Sequence, residues 1–122
     1  SYANTFGALV IGTGNKTEAM VGYGTKYGDL ACDIFVIGDL YKKDVYEIAR
    51  YLNIPKSIIK KTPTAELFEG QTDEKELSIS YEELDEQLMF FEQGKGRLSK
   101  HIAERIKKNE HKRRYPSVIK AQ

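Results

Sequence analysis

Near its start the chain carries a short apolar run, Ala8-Leu9-Val10-Ile11, that turns polar and glycine-rich at Gly12. The run is too short and too β-branched for a helix and predicts a buried strand over 8–12. Lys16-Thr17-Glu18-Ala19-Met20 are good helix formers and Gly22 stops them, which predicts a short helix over 15–22. A second polar loop follows over 23–33. Ile34-Phe35-Val36-Ile37 is the next apolar run, a strand or an extended core segment. Asp39 is a candidate N-cap for a helix from Tyr41 to Leu52, in which Val45, Ile48, Ala49 and Leu52 share one face. Asn53 and Pro55 end that helix, and Pro55 suits the first position of another over 55–60.

Residues 61–77 break this regularity. They show no sustained period and read as a loop, either a lid over a ligand or plain surface disorder. Ser80 with Glu83 has the spacing of a capping box and predicts a helix over 81–92, striped by Leu84, Leu88 and Phe91. Gly94 and Gly96 break it. Arg97 to Asn109 predicts a last helix, with Leu98, His101, Ile102 and Ile106 on or near one face and His101 structural. The tail from Glu110 is basic, then extended around Pro116. The chain thus offers two strand candidates, and two strands do not make an independent sheet. It is expected to be the C-terminal part of an α/β domain whose other strands lie elsewhere.

Composition narrows the function. At 122 residues the chain is one domain or less, and 40% hydrophobic content is enough for a core. Nineteen basic and 18 acidic residues leave a net charge of +1, which excludes bulk electrostatic binding to nucleic acid or membrane. No apolar run approaches the roughly 18 residues of a spanning helix. Ser1-Tyr2-Ala3-Asn4 has neither a charged region nor an apolar stretch of a secretory signal. The single cysteine, Cys32, cannot form an internal disulfide and reads as a small buried hydrophobe. A reducing, cytoplasmic compartment is expected.

The candidate chemistry gathers in Gly12-Thr13-Gly14-Asn15-Lys16-Thr17-Glu18 and Gly22-Tyr23-Gly24-Thr25-Lys26-Tyr27-Gly28-Asp29. A strand opening into a polar, Gly-rich loop is where open α/β sheets place ligands. Thr13 is either a turn hydroxyl or a donor to a phosphate or an adenine edge. Glu18 is either a first-turn carboxylate favoured by the helix dipole or a ligand for Mg²⁺, a hard cation that prefers oxygen. Lys26 can grip a phosphate, and Asp29 and Asp33 can bind an ammonium or hydroxyl; the other reading is a solvated loop. Lys42 lies in the first turn of a helix, against the dipole, which suits a facing anion; Lys43 beside it also fits a solvated pair. Thr62, Pro63 and Thr64 begin the long loop. His111-Lys112-Arg113-Arg114 either compensates a helix C-terminus or meets an anion.

Together these residues resemble the ammonia-dependent NAD synthetase family. Leu9 to Glu18 resembles its VVGTSNKSE block, and Gly22 to Asp29 its GYxTKYGD. Ile37-Gly38-Asp39-Leu40-Tyr41-Lys42 matches IGDLYK. Pro63-Thr64-Ala65-Glu66-Leu67 with Gly70-Gln71-Thr72-Asp73-Glu74 resembles PSADLxxGQTDE, Ser78 to Asp85 resembles GISYEELD, and His111-Lys112-Arg113 matches HKR. The blocks run in family order over nearly the whole chain.

The resemblance implies an α/β, adenine-nucleotide α-hydrolase-like (Rossmann-like) fold, present as a C-terminal portion with few strands and several helices. It implies a ligase that adenylates the nicotinate carboxylate of deamido-NAD with ATP and Mg²⁺, releases pyrophosphate, and lets ammonia displace AMP to form NAD. By resemblance Thr13, Lys42 and Thr64 contact ATP, and Glu18 is the metal ligand. Lys26, Asp33, His111 and Lys112 hold deamido-NAD, and Asp29 and Asp33 are the candidate catalytic carboxylates. Residues 61–77 match a mobile lid, and the complete enzyme is expected to be a homodimer. Gly14, Cys32 and Ser78 depart from the family pattern, where serine, a smaller residue and glycine are more usual. The family's pyrophosphate loop, SGGxDS, and its arginine-bearing helix are not in these residues, so the chain alone is expected to be inactive. The alternatives are a non-catalytic nucleotide-binding or assembly fragment, and the synthetase part of a glutamine-dependent enzyme.

Overall fold

The computed structural model describes residues 2–121. In chain order the elements are α1 (Tyr2–Phe6), β1 (Ile11–Gly12), α2 (Lys16–Val21), β2 (Ile34–Phe35), α3 (Lys42–Tyr51), α4 (Lys56–Ile59), α5 (Asp73–Leu77), α6 (Tyr81–Glu92), α7 (Lys100–Lys108) and a 3-10 turn, Glu110–Arg113. They fall into two units, residues 2–39 with 98–121, and residues 40–97.

In the first unit β1 and β2 pair in parallel, Ile11 opposite Ile34 and Gly12 opposite Phe35. The ladder is shorter than the run over 8–12: at Val10 the N–H is taken by Asp33 Oδ2 at 2.7 Å, while the carbonyl accepts Asp33 N–H at 2.9 Å and Ile34 N–H at 3.3 Å. The expected burial of this strand is not met; Leu9, Val10 and Ile11 are exposed, as are Ile34, Phe35 and Val36. Gly12 is the buried position, since a Cβ there would lie 2.4 Å from Cys32 Sγ and 2.8 Å from the Phe35 ring. Cys32 is half-buried rather than buried. Helix α2 packs on α7, joining the fully buried Thr17 and Val21 to Ile102. His101, expected on a structural face, is exposed beside Ser99.

The second unit packs α3 on α6 and on α4, and its core is Tyr41, Leu77, Ile79, Tyr81, Leu84 and Leu88. Helix α6 begins where the Ser80 signal places it, with Ser80 Oγ accepting Glu83 N–H at 3.2 Å. Three details differ from the sequence reading. Tyr41, not Asp39, occupies the N-cap of α3, because the Asp44 carboxylate reaches back to Tyr41 N–H at 2.9 Å. Asp39 instead pairs with Lys16 at 3.3 Å. Phe91 and much of the α3 stripe, including Ile48 and Leu52, stay exposed. The segment 61–77 ends in a helix: Thr72 Oγ1 accepts Lys75 N–H at 3.3 Å, α5 follows, and Leu77 is buried.

Candidate functional site

The entrance to α2 is fixed by its own first turn. Buried Asn15 accepts Glu18 N–H on Oδ1 at 2.9 Å, and Glu18 Oε2 accepts Asn15 N–H at 3.1 Å. This reciprocal box satisfies two donors that a helix start would leave open. It sets Thr13 on the exposed turn just before the helix and holds Glu18 half-buried beside it. The sequence left Glu18 as a dipole-favoured first-turn carboxylate or a Mg²⁺ ligand; the structure places it in the first turn and adds a capping bond.

The loop over 23–33 is held in a similar way. Asp29 Oδ1 accepts Thr25 N–H at 2.7 Å, closing a turn, while Asp33 bonds to Val10. Both candidate catalytic carboxylates therefore carry a backbone amide while remaining exposed. Lys26 is half-buried with its ammonium 5.5 Å from the Tyr27 ring centre.

Residues 109–113 reach this loop from the far end of the sequence. Asn109 Nδ2 donates to Val21 O at 3.3 Å, and Arg113 Nη1 donates to Ala19 O at 3.3 Å and Met20 O at 2.8 Å. Lys112 Nζ donates to Gly22 O at 2.8 Å and Gly24 O at 2.7 Å. One amide and two cationic side chains thus meet the negative end of α2 and the turn after it, where helix carbonyls lack intrahelical partners. The structure brings Lys112 onto the loop that carries Lys26, Asp29 and Asp33. His111 is exposed beside it. Asn109 was missed by the sequence reading, and the helix end that Arg113 meets, that of α2, was not foreseen, because partners some 90 positions apart leave no local signal.

Lys42 and Thr64 belong to the second unit. Helix α6 holds the start of α3: Asp85 Oδ2 accepts Lys43 N–H at 2.8 Å, and Tyr41 Oη donates to Glu92. Lys42 Nζ lies 4.7 Å from the ring centre of Tyr81, whose hydroxyl donates to Asp73 Oδ2 at 2.9 Å. Thr64 Oγ1 accepts Glu66 N–H at 3.1 Å, a short turn that leaves the hydroxyl proton for another acceptor. Lys61 beside Glu66 holds its exposed carboxyl below the usual carboxylate range, through a hydrogen bond and its charge. A cleft of about 590 Å³ runs over this region, lined among others by Lys42, Lys43, Arg50, Thr62, Pro63 and Tyr81. Its lining mixes these cations with the carboxylates of Glu47, Glu74, Glu82 and Asp85, so an anionic group would be met at the lysines rather than across the whole cleft, and the Tyr81 ring suits a flat or apolar part of a ligand.

Among the described residues no cluster of three or more His, Cys, Asp or Glu side chains forms a metal cage. Glu18 fits Mg²⁺ only as a shared ligand, since that ion is commonly held by one or two carboxylates with substrate phosphates completing the shell.

The NAD synthase family model matches residues 1–116. The chain belongs to the NAD synthase family. It is 50% identical to the NH(3)-dependent NAD(+) synthetase of Methanocaldococcus jannaschii, over 94% of this chain and 49% of that protein. It is 48% identical to the Archaeoglobus fulgidus enzyme of the same name, over 98% of this chain and 49% of the relative. Among solved structures, an NMN synthetase from Francisella tularensis superposes with a TM-score of 0.81 at 39% identity, over 97% of this chain and 49% of the other. An NH3-dependent NAD synthetase from Campylobacter jejuni, in complex with the nitrate ion, does so at 0.75 and 35% identity, over 98% and 48%. The chain spans about half the length of the curated relatives it matches. These neighbours fix the fold as the α/β, adenine-nucleotide α-hydrolase-like class of NAD and NMN synthetases.

Proposed function

We propose that this chain supplies one wall of the active site of an ammonia-dependent NAD synthetase. The family match along residues 1–116, with relatives near 50% identity named for that activity, carries the reading. A carboxylate is a poor acceptor for ammonia at neutral pH. An oxygen of the nicotinate carboxylate of deamido-NAD attacks the α-phosphorus of ATP, and pyrophosphate leaves. Ammonia then attacks the acyl carbon, AMP leaves, and the nitrogen gives up one proton to yield the amide.

The residues of this chain divide that work by position and charge. Thr13, Lys42 and Thr64 contact ATP, and the cleft lined by Lys42 supports that residue's part. Lys26, Asp33, His111 and Lys112 hold deamido-NAD. The Lys112 ammonium has three N–H donors, and two carbonyls leave one for a ligand. Asp29 and Asp33 stand as acceptors for the proton that ammonia loses. Glu18 would share in holding Mg²⁺, whose charge would offset that of the polyphosphate. Residues 61–77 serve as the lid. The enzyme works as a cytoplasmic homodimer, completed by the portion of the relatives' length that this chain does not span. Among the described residues no helix is long and apolar enough to cross a membrane.

The test is amidation of deamido-NAD with ATP, Mg²⁺ and ammonium salt, by the 122-residue chain alone and by the complete enzyme. Activity is expected only in the complete enzyme. Turnover by the chain alone contradicts the incomplete-site reading; none by the complete enzyme contradicts the function. The Francisella neighbour favours a second reading, in which the product is NMN. Supplying deamido-NAD and its mononucleotide counterpart in competition decides between them.

A further inference from the structure

We infer that Asp73 is a positioning residue for the ATP subsite, joining the segment that carries Thr64 to the helix that carries Lys42. This rests on the proposal that those two residues contact ATP. Asp73 acts through two bonds of opposite kind. Its backbone N–H donates to Pro63 O at 3.0 Å, which fixes the residue immediately before Thr64. Its carboxylate accepts the Tyr81 hydroxyl at 2.9 Å, and the Tyr81 ring is the shelf under the Lys42 ammonium.

Burial argues for a purpose beyond filling space. Asp73 and Tyr81 are each 5% exposed. Taking a carboxylate out of water is costly unless its partners are well placed, and an apolar residue would fill the volume without that cost. What the pair adds is orientation. The hydroxyl bond fixes the rotation and height of the ring, and the ring attracts the ammonium by its negative face. A lysine side chain has much rotamer freedom to lose, so a fixed shelf lowers the cost of holding it toward an anion. Tyr81 is anchored again at its backbone, where its N–H donates to Glu74 Oε1 at 2.8 Å. Asp73 is therefore a single junction between two candidate ATP contacts 22 positions apart in sequence.

The test uses steady-state kinetics of the complete synthetase. Tyr81→Phe and Asp73→Ala are each expected to raise KM for ATP about three- to tenfold, with KM for the nicotinate substrate and for ammonia unchanged. Asp73→Asn keeps a carbonyl that accepts the phenol, and is expected to stay within about twofold of the parent. The double variant Tyr81→Phe/Asp73→Ala is expected to be no worse than Asp73→Ala alone, because both remove one linkage. Lys42→Ala and Thr64→Ala serve as controls. If they raise KM for ATP while folded Asp73 and Tyr81 variants do not, the positioning inference is overturned and the ATP assignment stands. If the controls leave it unchanged, the assignment falls and takes the inference with it. A uniform loss on all substrates with a lowered Tm makes Asp73 merely structural and also overturns the inference. Should Asp73→Ala fail to fold, Tyr81→Phe decides, since it keeps the ring and removes one oxygen.

Discussion

Lys112 bonds at once to Gly22 and Gly24, its ammonium donating to their carbonyls at 2.8 and 2.7 Å. A lysine that the sequence offers either to a helix C-terminus or to an anion is thereby a staple on the turn leaving α2. Lys112→Met keeps most of the stem and removes the donors. Unfolding free energy is expected to fall by about 1–3 kcal/mol, the scale of hydrogen bonds from a charged group. The Thr25 and Leu30 amides should exchange faster with solvent. An unchanged denaturant midpoint, with unchanged exchange, would contradict the staple.

Gly22 should tolerate no side chain. Its φ of 65° lies in the left-handed region, and a Cβ there would stand 2.3 Å from Asn109 Cβ. Gly22→Ala is expected to cost about 2–4 kcal/mol, from backbone strain and overpacking together. Asn109→Gly removes the facing Cβ but also the Nδ2 bonds to Val21 O and Arg105 O, so the clash is read from a double-mutant cycle: Gly22→Ala should cost less in the Asn109→Gly background than in the parent. An equal cost in both backgrounds would mean that the clash is not the source of the loss.

Glu18 gives a clean separation of two roles. A glutamine can still accept Asn15 N–H through its carbonyl, so Glu18→Gln should leave stability within about 0.5 kcal/mol. It removes the charge that Mg²⁺ would need, so turnover in the complete enzyme should demand more Mg²⁺. Glu18→Ala should lose the cap as well, by about 1 kcal/mol. If Glu18→Gln titrates with Mg²⁺ as the parent does, Glu18 is not a ligand.

The lid over 61–77 is expected to move only in part. Leu77 is 1% exposed, and its truncation to alanine should cost about 2–5 kcal/mol, as for other core positions. Residues 61–72, largely irregular and exposed, should be cut readily by protease without nucleotide and protected with it. Equal cleavage in both states counts against a lid.

Local chemistry made much of this fold readable. Ser80 with Glu83, and Gly22, announce helix ends because the groups involved lie within one turn; the Asn15–Glu18 box was equally local but went unread. Helix α5 escaped because five residues hold too little period, although Thr72 before Asp73 and Glu74 carried the cap signal. Asp39 misled because a capping residue type does not say whether its side chain reaches the helix; Asp44 does so from within. The apolar stripe of α3 gave the right helix and the wrong burial, since periodicity defines a face and not what covers it. In the site, the residue types at Thr13, Glu18, Lys26 and Lys42 were legible. The structural duties of Asp33 and Lys112 were not, nor was the Asp73–Tyr81 pair, because each depends on segments that meet only after folding.

The short parallel ladder of β1 and β2 also bears on where stability must come from. Parallel sheets are normally covered on both faces, yet Leu9, Val10, Ile11, Ile34, Phe35 and Val36 face solvent among the described residues. Each such side chain that a further strand or layer buried completely would be worth about 1.5–3 kcal/mol. The firmness of this ladder is therefore set by what covers it, more than by its own two residue pairs.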